Sequence, residues 1–250
     1  MKVYVNGCSF SHGHKDFQIK GGKSDISPDW VWPMLMNDSF DEVISEAYRG
    51  SSNHRIIRRS MEYLANIEQP EDWTVVIQFA NFERQEYYDT NLKSWIGHVV
   101  NDPCLDDRAP TIGNSYLENK LEYKAFKNYC TLVNNGDSII TDVIIDVLAF
   151  QHFCKIKGFK KVFYTGQSSG TLLPYYFGGP DALPFRVDYE LQQYETIKKL
   201  YQNIDTSNFL LPISHVTRGH EESETDGHPN EAGHKLFARY IINEIEKKYE

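Results

Sequence analysis

The sequence predicts a three-layer α/β/α fold around a mainly parallel sheet of about five strands, flavodoxin-like in its winding. Three observations carry this prediction. Short apolar runs alternate with amphipathic helical stretches along the chain. The clearest run, Thr74–Ala80 (TVVIQFA), is apolar on both faces, as a strand covered on both sides must be. The helical stretches between the runs carry end signals, such as the N-cap candidates Ser51-Ser52-Asn53 and the closing Gly158.

In chain order, Lys2–Asn6 reads as a strand that stops at Gly7. Glu42–Ala47 is a second, weaker one, ending before Gly50. Ser51, Ser52 and Asn53 are N-cap candidates for a helix carrying Ile56, Ile57, Met61 and Leu64. Thr74–Ala80 is the third strand. Residues 86–117 hold two prolines and no convincing period, so they read as a long insertion with room for one short helix. Asp137 or Ser138 can cap a helix with Ile140, Ile144, Val147 and Leu148 on one face, closed by Gly158. Lys160–Gly166 is the fourth strand, Val187–Ile204 a more polar helix, and Asn208–Ile213 a fifth strand cut by Pro212. Asn230–Lys248 is the last helix, with Phe237, Tyr240, Ile241 and Ile245 as its apolar stripe. There is no internal repeat or linker, so residues 1–250 read as a single domain.

Composition narrows the function classes. With 40% hydrophobic and 24% charged residues, the chain of 250 is globular rather than disordered. Its net charge of −9, from 26 basic and 35 acidic residues, argues against a nucleic-acid backbone binder. Cys8, Cys104, Cys130 and Cys154 are scattered, without zinc-site or redox-pair spacing. No apolar stretch suits a signal peptide, and none approaches the ~18 residues of a membrane span. The expectation is a soluble, cytoplasmic protein with no membrane or nucleic-acid partner; its oligomeric state stays open.

In open parallel sheets, ligands bind beyond the carboxyl ends of the strands. Five segments should meet there: Gly7-Cys8-Ser9-Phe10-Ser11, Gly50-Ser51-Ser52-Asn53, Asn81-Phe82-Glu83-Arg84, Gly166-Gln167-Ser168-Ser169-Gly170 and Asp226-Gly227-His228-Pro229-Asn230. Together they offer a hydroxyl, backbone N–H groups, a carboxamide, an imidazole and a carboxylate. That is the parts list for acyl transfer through a serine nucleophile.

These segments resemble the motifs of the SGNH, or GDSL-like, hydrolases. The family's Gly-Asp-Ser-x-Ser stands here as Gly7-Cys8-Ser9-Phe10-Ser11. Its glycine after the second strand is matched by Gly50, and its Gly-x-Asn-Asp by Asn81 alone, within Phe79-Ala80-Asn81-Phe82. Its Asp-x-x-His becomes Asp226-Gly227-His228, one residue shorter, followed by Pro229. The matches run from residue 7 to residue 234.

The resemblance implies a serine esterase that removes a small acyl group, such as acetyl, with a carbohydrate ester as one candidate substrate. Ser9 would be the nucleophile and His228 the general base. Asp226 would orient His228, a role that Glu224 or a backbone carbonyl could take instead given the shortened spacing. Ser9 and Gly50 N–H groups with the Asn81 carboxamide would form the oxyanion hole. No metal or organic cofactor is needed. An acyltransferase would use the same residues. A non-catalytic binding or assembly protein would hold Ser9 and His228 apart.

Other residues have two readings each. Cys8 reads as a small buried residue rather than a thiol nucleophile. Asn53 reads as a helix cap rather than a catalytic group. His12 and His14 read as polar loop residues, the alternative being a metal site with Asp226 and His228. Arg84 can hold a carboxylate or phosphate on a substrate, or pair with Glu83 or Glu86. Gln167 is a further substrate-side candidate. Tyr175, Tyr176, Phe177 and Trp95 can stack on sugar rings or belong to the core.

Overall fold

The computed structural model describes residues 1–13, 29–82, 84–89, 94–99, 136–168, 171–177, 193–223 and 226–248. Four strands form one parallel sheet in the order β2-β1-β3-β6: β1 (Lys2–Asn6), β2 (Glu42–Ser45), β3 (Trp73–Phe79) and β6 (Lys161–Gly166). Val5 pairs with Ser45 and Val76, and Ile77 with Tyr164. All seven residues of β3 are buried, which its central place requires. The half-buried pattern of β2 fits an edge strand.

The fifth expected strand lies where it should but is reduced to a single parallel bridge, Tyr164 with Phe209. Tyr164 N–H donates to Asn208 O at 3.0 Å, and Leu210 N–H to Tyr164 O at 2.7 Å. The ladder stops there because Leu211 N–H donates to the Tyr240 hydroxyl and the Leu211 carbonyl accepts from Thr165 Oγ1. Pro212 then has no N–H to offer.

The helices are α1 (Ser9–His12), α2 (Trp32–Leu35), α3 (Asn53–Leu64), α4 (Gly136–Lys157), α5 (Leu173–Tyr176), α6 (Tyr194–Tyr201), α7 (Ile213–Val216) and α8 (Glu231–Lys247). They connect strands that run parallel, as helical crossovers do. On one side α3 packs on α4 and α4 on α6; on the other α2 packs on α8, with Trp32 edge-on to Phe237 at 5.2 Å. The three-layer α/β/α expectation therefore holds.

Local signals explain the helix ends. Ser52 accepts from Arg55 N–H and caps α3; Asn230 accepts from Gly233 N–H and caps α8. Gly158, at φ +92°, closes α4. Asp137 and Ser138 are not caps, because α4 already begins at Gly136. Of the polar helix expected over 187–204, Tyr194–Tyr201 is helical, and residues 178–192 lie outside the described residues.

Within the expected insertion, Arg84–Asp89 (β4) and Ser94–Val99 (β5) pair as an antiparallel ribbon, a regular element that the missing period did not suggest, while residues 90–93 and 100–117 lie outside the described residues. Arg58 of α3 clamps it, with Nε and Nη2 donating to Glu86 at 3.2–3.4 Å. The Glu86 side chain is only 1% exposed, and burial raises its carboxyl above the usual range. Residues 100–135 lie outside the described residues, with Cys104 and Cys130 among them. Cys8 and Cys154 are free and buried, and burial pushes the Cys154 thiol up to about 12.

Candidate active site

The turn after β1 is built by side chains from neighbouring strands and helices. Asn6 accepts from Gly7 N–H through Oδ1 at 2.8 Å, while its Nδ2 donates to Ile56 O and Ser60 Oγ at 3.0 Å. Cys8 O then accepts the Ser11 and His12 N–H groups, closing α1 with Ser9 as its first residue.

Gln78, fully buried in β3, is the hub of this turn. Its Oε1 accepts from Cys8 N–H and from the Ser11 hydroxyl, both at 3.0 Å. Its Nε2 donates to Cys8 Sγ at 3.4 Å and to Phe79 O. A Cβ at Gly7 would stand 2.6 Å from Gln78 Oε1 and 2.7 Å from Ser11 Oγ, so only glycine fits. Gln78 was not singled out from the sequence. The available signal was a carboxamide inside an otherwise apolar strand, since a buried polar group must find partners.

His228 reaches the same place from the far end of the chain. It sits in β8 (Asp226–Pro229), which pairs with β7 (Glu221–Ser223) as a short antiparallel ribbon. Asn230 ties the ribbon to α8: its N–H donates to His220 O at 2.8 Å while its side chain caps the helix. The Phe10 ring lies 4.3 Å from the His228 ring, tilted by 31°.

Ser9 Oγ and His228 Nε2 are 2.7 Å apart. In the tautomer that carries its proton on Nδ1, Nε2 accepts the serine O–H, the arrangement a general base needs. The separation that a binding-only protein was expected to show is not found. The Ser9 residue is only 5% exposed, while His228 is half-buried. Asp226 pairs with Ser223 two residues before His228 on the same strand, and Glu224 lies outside the described residues.

The other expected residues leave the carboxyl ends of adjacent strands, at one edge of the sheet. Gly50, at φ +75°, lies in the turn after β2, joined to the serine turn where Tyr48 N–H donates to Gly7 O at 3.0 Å. Asn81 follows β3 after Ala80 and is half-buried. Gln167 follows β6; its N–H donates to Phe79 O, and its Oε1 is 3.8 Å from Cys8 Sγ. Asn53 is not the cap of α3. Its carboxamide brackets Ala80, with Nδ2 donating to Ala80 O at 3.2 Å and Oδ1 accepting Ala80 N–H at 2.8 Å.

Arg84 does not pair with Glu86, whose carboxylate is taken by Arg58, and Glu83 lies outside the described residues. Arg84 Nη1 is buried with no hydrogen-bond partner. His12 is buried and edge-on to Tyr48 at 5.8 Å. Among the described residues no three His, Cys, Asp or Glu side chains are grouped to hold a metal; His14 and the Asp226 side chain lie outside them. Phe177 stacks on Tyr201 at 4.5 Å and belongs to the core, while the Tyr175, Tyr176 and Trp95 side chains lie outside the described residues.

His234, on the first turn of α8, is buried beside this site. Its Nδ1 accepts the Trp32 N–H at 3.2 Å, and its ring meets Trp30 edge-on. Burial first, and the charge of His228 second, push its pKa down to about 4, so the ring is neutral near pH 7.

No family model matches the chain, and no curated protein matches it. Among solved structures it is similar to an esterase, EstA from Pseudoalteromonas sp., at 11% identity over 99% of this chain and 97% of that one, with a TM-score of 0.49. It is similar to a member of the lipolytic G-D-S-L family from Veillonella parvula, at 12% identity over 97% of each chain, TM-score 0.43. An extracellular lipase from Streptomyces rimosus matches at 13% identity over 98% of this chain and 99% of that one, TM-score 0.41. At these identities a shared chemistry does not follow from a shared course of the chain. Among the described residues, no helix is long and apolar enough to cross a membrane.

Proposed function

We propose that this protein is an SGNH-like serine hydrolase acting on ester bonds, with Ser9 as nucleophile and His228 as base. The contact of 2.7 Å between Ser9 Oγ and His228 Nε2 is the observation that supports this most directly. As Oγ attacks the ester carbonyl carbon, its proton passes to Nε2 and the carbonyl oxygen becomes an oxyanion. In this reading the Ser9 and Gly50 N–H groups and the Asn81 carboxamide donate to it. The carbon–oxygen bond to the alcohol then breaks, and His228 returns the proton to the leaving alkoxide. Water, deprotonated by His228, attacks the acyl-Ser9 carbonyl; the bond to Oγ breaks, His228 returns the proton to Oγ, and the acid is freed.

Asp226 is the orienting carboxylate in this reading. The SGNH pattern has two residues between acid and base, and this chain has one. A strand repeats its faces every second residue, so within β8 a separation of two keeps both positions on one face. The acyl group is small, acetyl being the leading candidate, and a carbohydrate ester is a candidate substrate. An acyltransferase would share every step until a sugar hydroxyl replaced the water.

The test is hydrolysis of p-nitrophenyl acetate, with fluorophosphonate labelling alongside, by wild type and Ser9→Ala. Wild type turns over and labels at Ser9; the variant does neither. Failure of wild type to turn over or label, repeated on a panel of O-acetyl sugars, would remove the hydrolase reading. Acetate release that falls on adding a sugar acceptor identifies the transferase.

A further inference from the structure

Ala80 stands between the end of the central strand and Asn81, and it is fully buried. The ladder of β1 with β3 ends at Ile77, and that of β3 with β6 ends at Phe79. Among the described residues, no strand therefore reaches Ala80. A buried peptide group that has left its sheet must find other partners.

Asn53 supplies both. Its Oδ1 accepts the Ala80 N–H at 2.8 Å, and its Nδ2 donates to Ala80 O at 3.2 Å. A carboxamide carries an acceptor and a donor side by side, as a peptide does, so Asn53 takes the place of a further strand. With Asn53 only 2% exposed, both bonds are made away from bulk water.

The clamp has a firm base. Asn53 opens α3, and Ser52 Oγ holds that helix start by accepting the Arg55 N–H at 3.1 Å. Ser51 Oγ donates to Tyr48 O at 2.6 Å and accepts from Arg55 Nη1 at 2.9 Å. Gly50 lies in this turn, and Asn81 follows Ala80 directly. Asn53 thus ties the turn that carries one oxyanion donor of the proposed mechanism to the backbone that carries another.

We propose that Asn53 is a positioning residue for the oxyanion hole: by holding Ala80 at both its N–H and its C=O, it fixes where the Asn81 carboxamide stands. This role rests on the ester-hydrolase reading, because only a developing oxyanion gives the placement of Asn81 a consequence. Preorganised donors act by being in place before the charge develops, so a displaced donor lowers turnover more than it weakens substrate binding.

The test is a double-mutant cycle on p-nitrophenyl acetate hydrolysis, with Asn53→Ala, Asn81→Ala and the double variant. Asn53→Ala should lower kcat by roughly 10–100-fold, short of or equal to the loss of one oxyanion donor, and leave KM within about twofold. In the Asn81→Ala background the same substitution should change kcat by less than about threefold, because no carboxamide is left to place. Its cost in a denaturant melt should be the same in both backgrounds. Asn53→Asp keeps an acceptor for the Ala80 N–H and loses the donor. It should fall between wild type and Asn53→Ala, and it decides the cycle if the Ala variant does not fold. In Ser9→Ala protein, amide exchange at Ala80 should quicken about tenfold or more on adding Asn53→Ala, which reads the clamp without turnover. Losses that add across the cycle, an unchanged kcat, or exchange at Ala80 indifferent to Asn53 would overturn the role. If Asn81→Ala alone leaves kcat unchanged, the oxyanion assignment of Asn81 fails and this role with it. A wild type that neither turns over nor labels overturns the hydrolase reading and this role together, a result distinct from an active wild type indifferent to Asn53.

Discussion

Gln78 Oε1 accepts the Cys8 N–H at 3.0 Å, so a carboxamide in the central strand sets the backbone that presents Ser9. The same oxygen holds the Ser11 hydroxyl, and Nε2 donates to the Cys8 sulfur. Every hydrogen bond of the Gln78 side chain is with the turn or with its own strand. Gln78 is a positioning residue that acts through the turn.

Replacing Gln78 by Leu leaves the Cys8 N–H and the Ser11 hydroxyl buried without that acceptor. A cost of about 2–6 kcal/mol in stability is expected, from roughly 1–3 for each of the two unsatisfied groups. In the esterase assay the loss should fall on kcat rather than KM. Gln78→Glu keeps the acceptor oxygen and should recover part of the activity. Denaturant melts and steady-state kinetics check both; an equal fall in stability with unchanged kcat would show a purely structural role.

Gly7 belongs to the same contact. Gly7→Ala puts a methyl group into Gln78 Oε1 and Ser11 Oγ, for an expected loss of about 1–3 kcal/mol. Because the clash is with Gln78 itself, Gly7→Ala should cost less in a Gln78→Ala background, which a double-mutant cycle measures.

Ser9 and His228 act as a pair in the proposed mechanism, so their losses should not add. Each of Ser9→Ala and His228→Ala is expected to lower kcat by about 10⁴-fold or more, and the double variant by no more than the worse single one. Additive effects on p-nitrophenyl acetate turnover would contradict a shared proton transfer.

His234 makes folding stability depend on acid in a stated direction. Its folded pKa, about 4, lies below the ordinary value of 6.5, so the unfolded chain binds the extra proton first. Its contribution is constant above about pH 6.5, is lost as pH falls, and amounts to a loss on the order of 3 kcal/mol by pH 4. His234→Asn removes the titration. The variant should be less stable at pH 7 if its carboxamide fails to accept the Trp32 N–H. In either case its stability should vary less between pH 7 and pH 4.5 than that of wild type, as read from melts across that interval.

The Arg58–Glu86 clamp and the Arg59–Glu46 pair offer a contrast in burial. Glu86 is 1% exposed, whereas the Arg59 and Glu46 side chains are 41% and 29% exposed. Arg58→Gln strands a buried carboxylate and should cost about 2–4 kcal/mol, while Arg59→Gln should cost about 1 or less. Lower pH should ease the Arg58→Gln defect, because a protonated Glu86 no longer needs a cation.

Local pattern made much of this protein legible. Ser52 and Asn230 announce helix starts through their own side chains, and the apolar run around Val75–Phe79 can only be a buried strand. The order of Ser9, Gly50, Asn81 and His228 at segment ends followed from the rule that parallel strands open at one edge. The β4–β5 ribbon escaped this reasoning. Its residues mix charge and aromatics without a clean period of two, and a distant clamp, Arg58 to Glu86, helps hold it to α3.

The sequence by itself determined the α/β/α layering, because periodicity, capping and burial act over a few neighbouring residues. Only the tertiary structure decided that Ser9 and His228, 219 positions apart, meet at 2.7 Å. It alone decided that Gln78 holds the serine turn and that Arg84 Nη1 is buried without a hydrogen-bond partner. These relations depend on the register between strands and the angle of each turn. Such quantities are set by the packing of the whole chain and leave no mark in any short stretch of it.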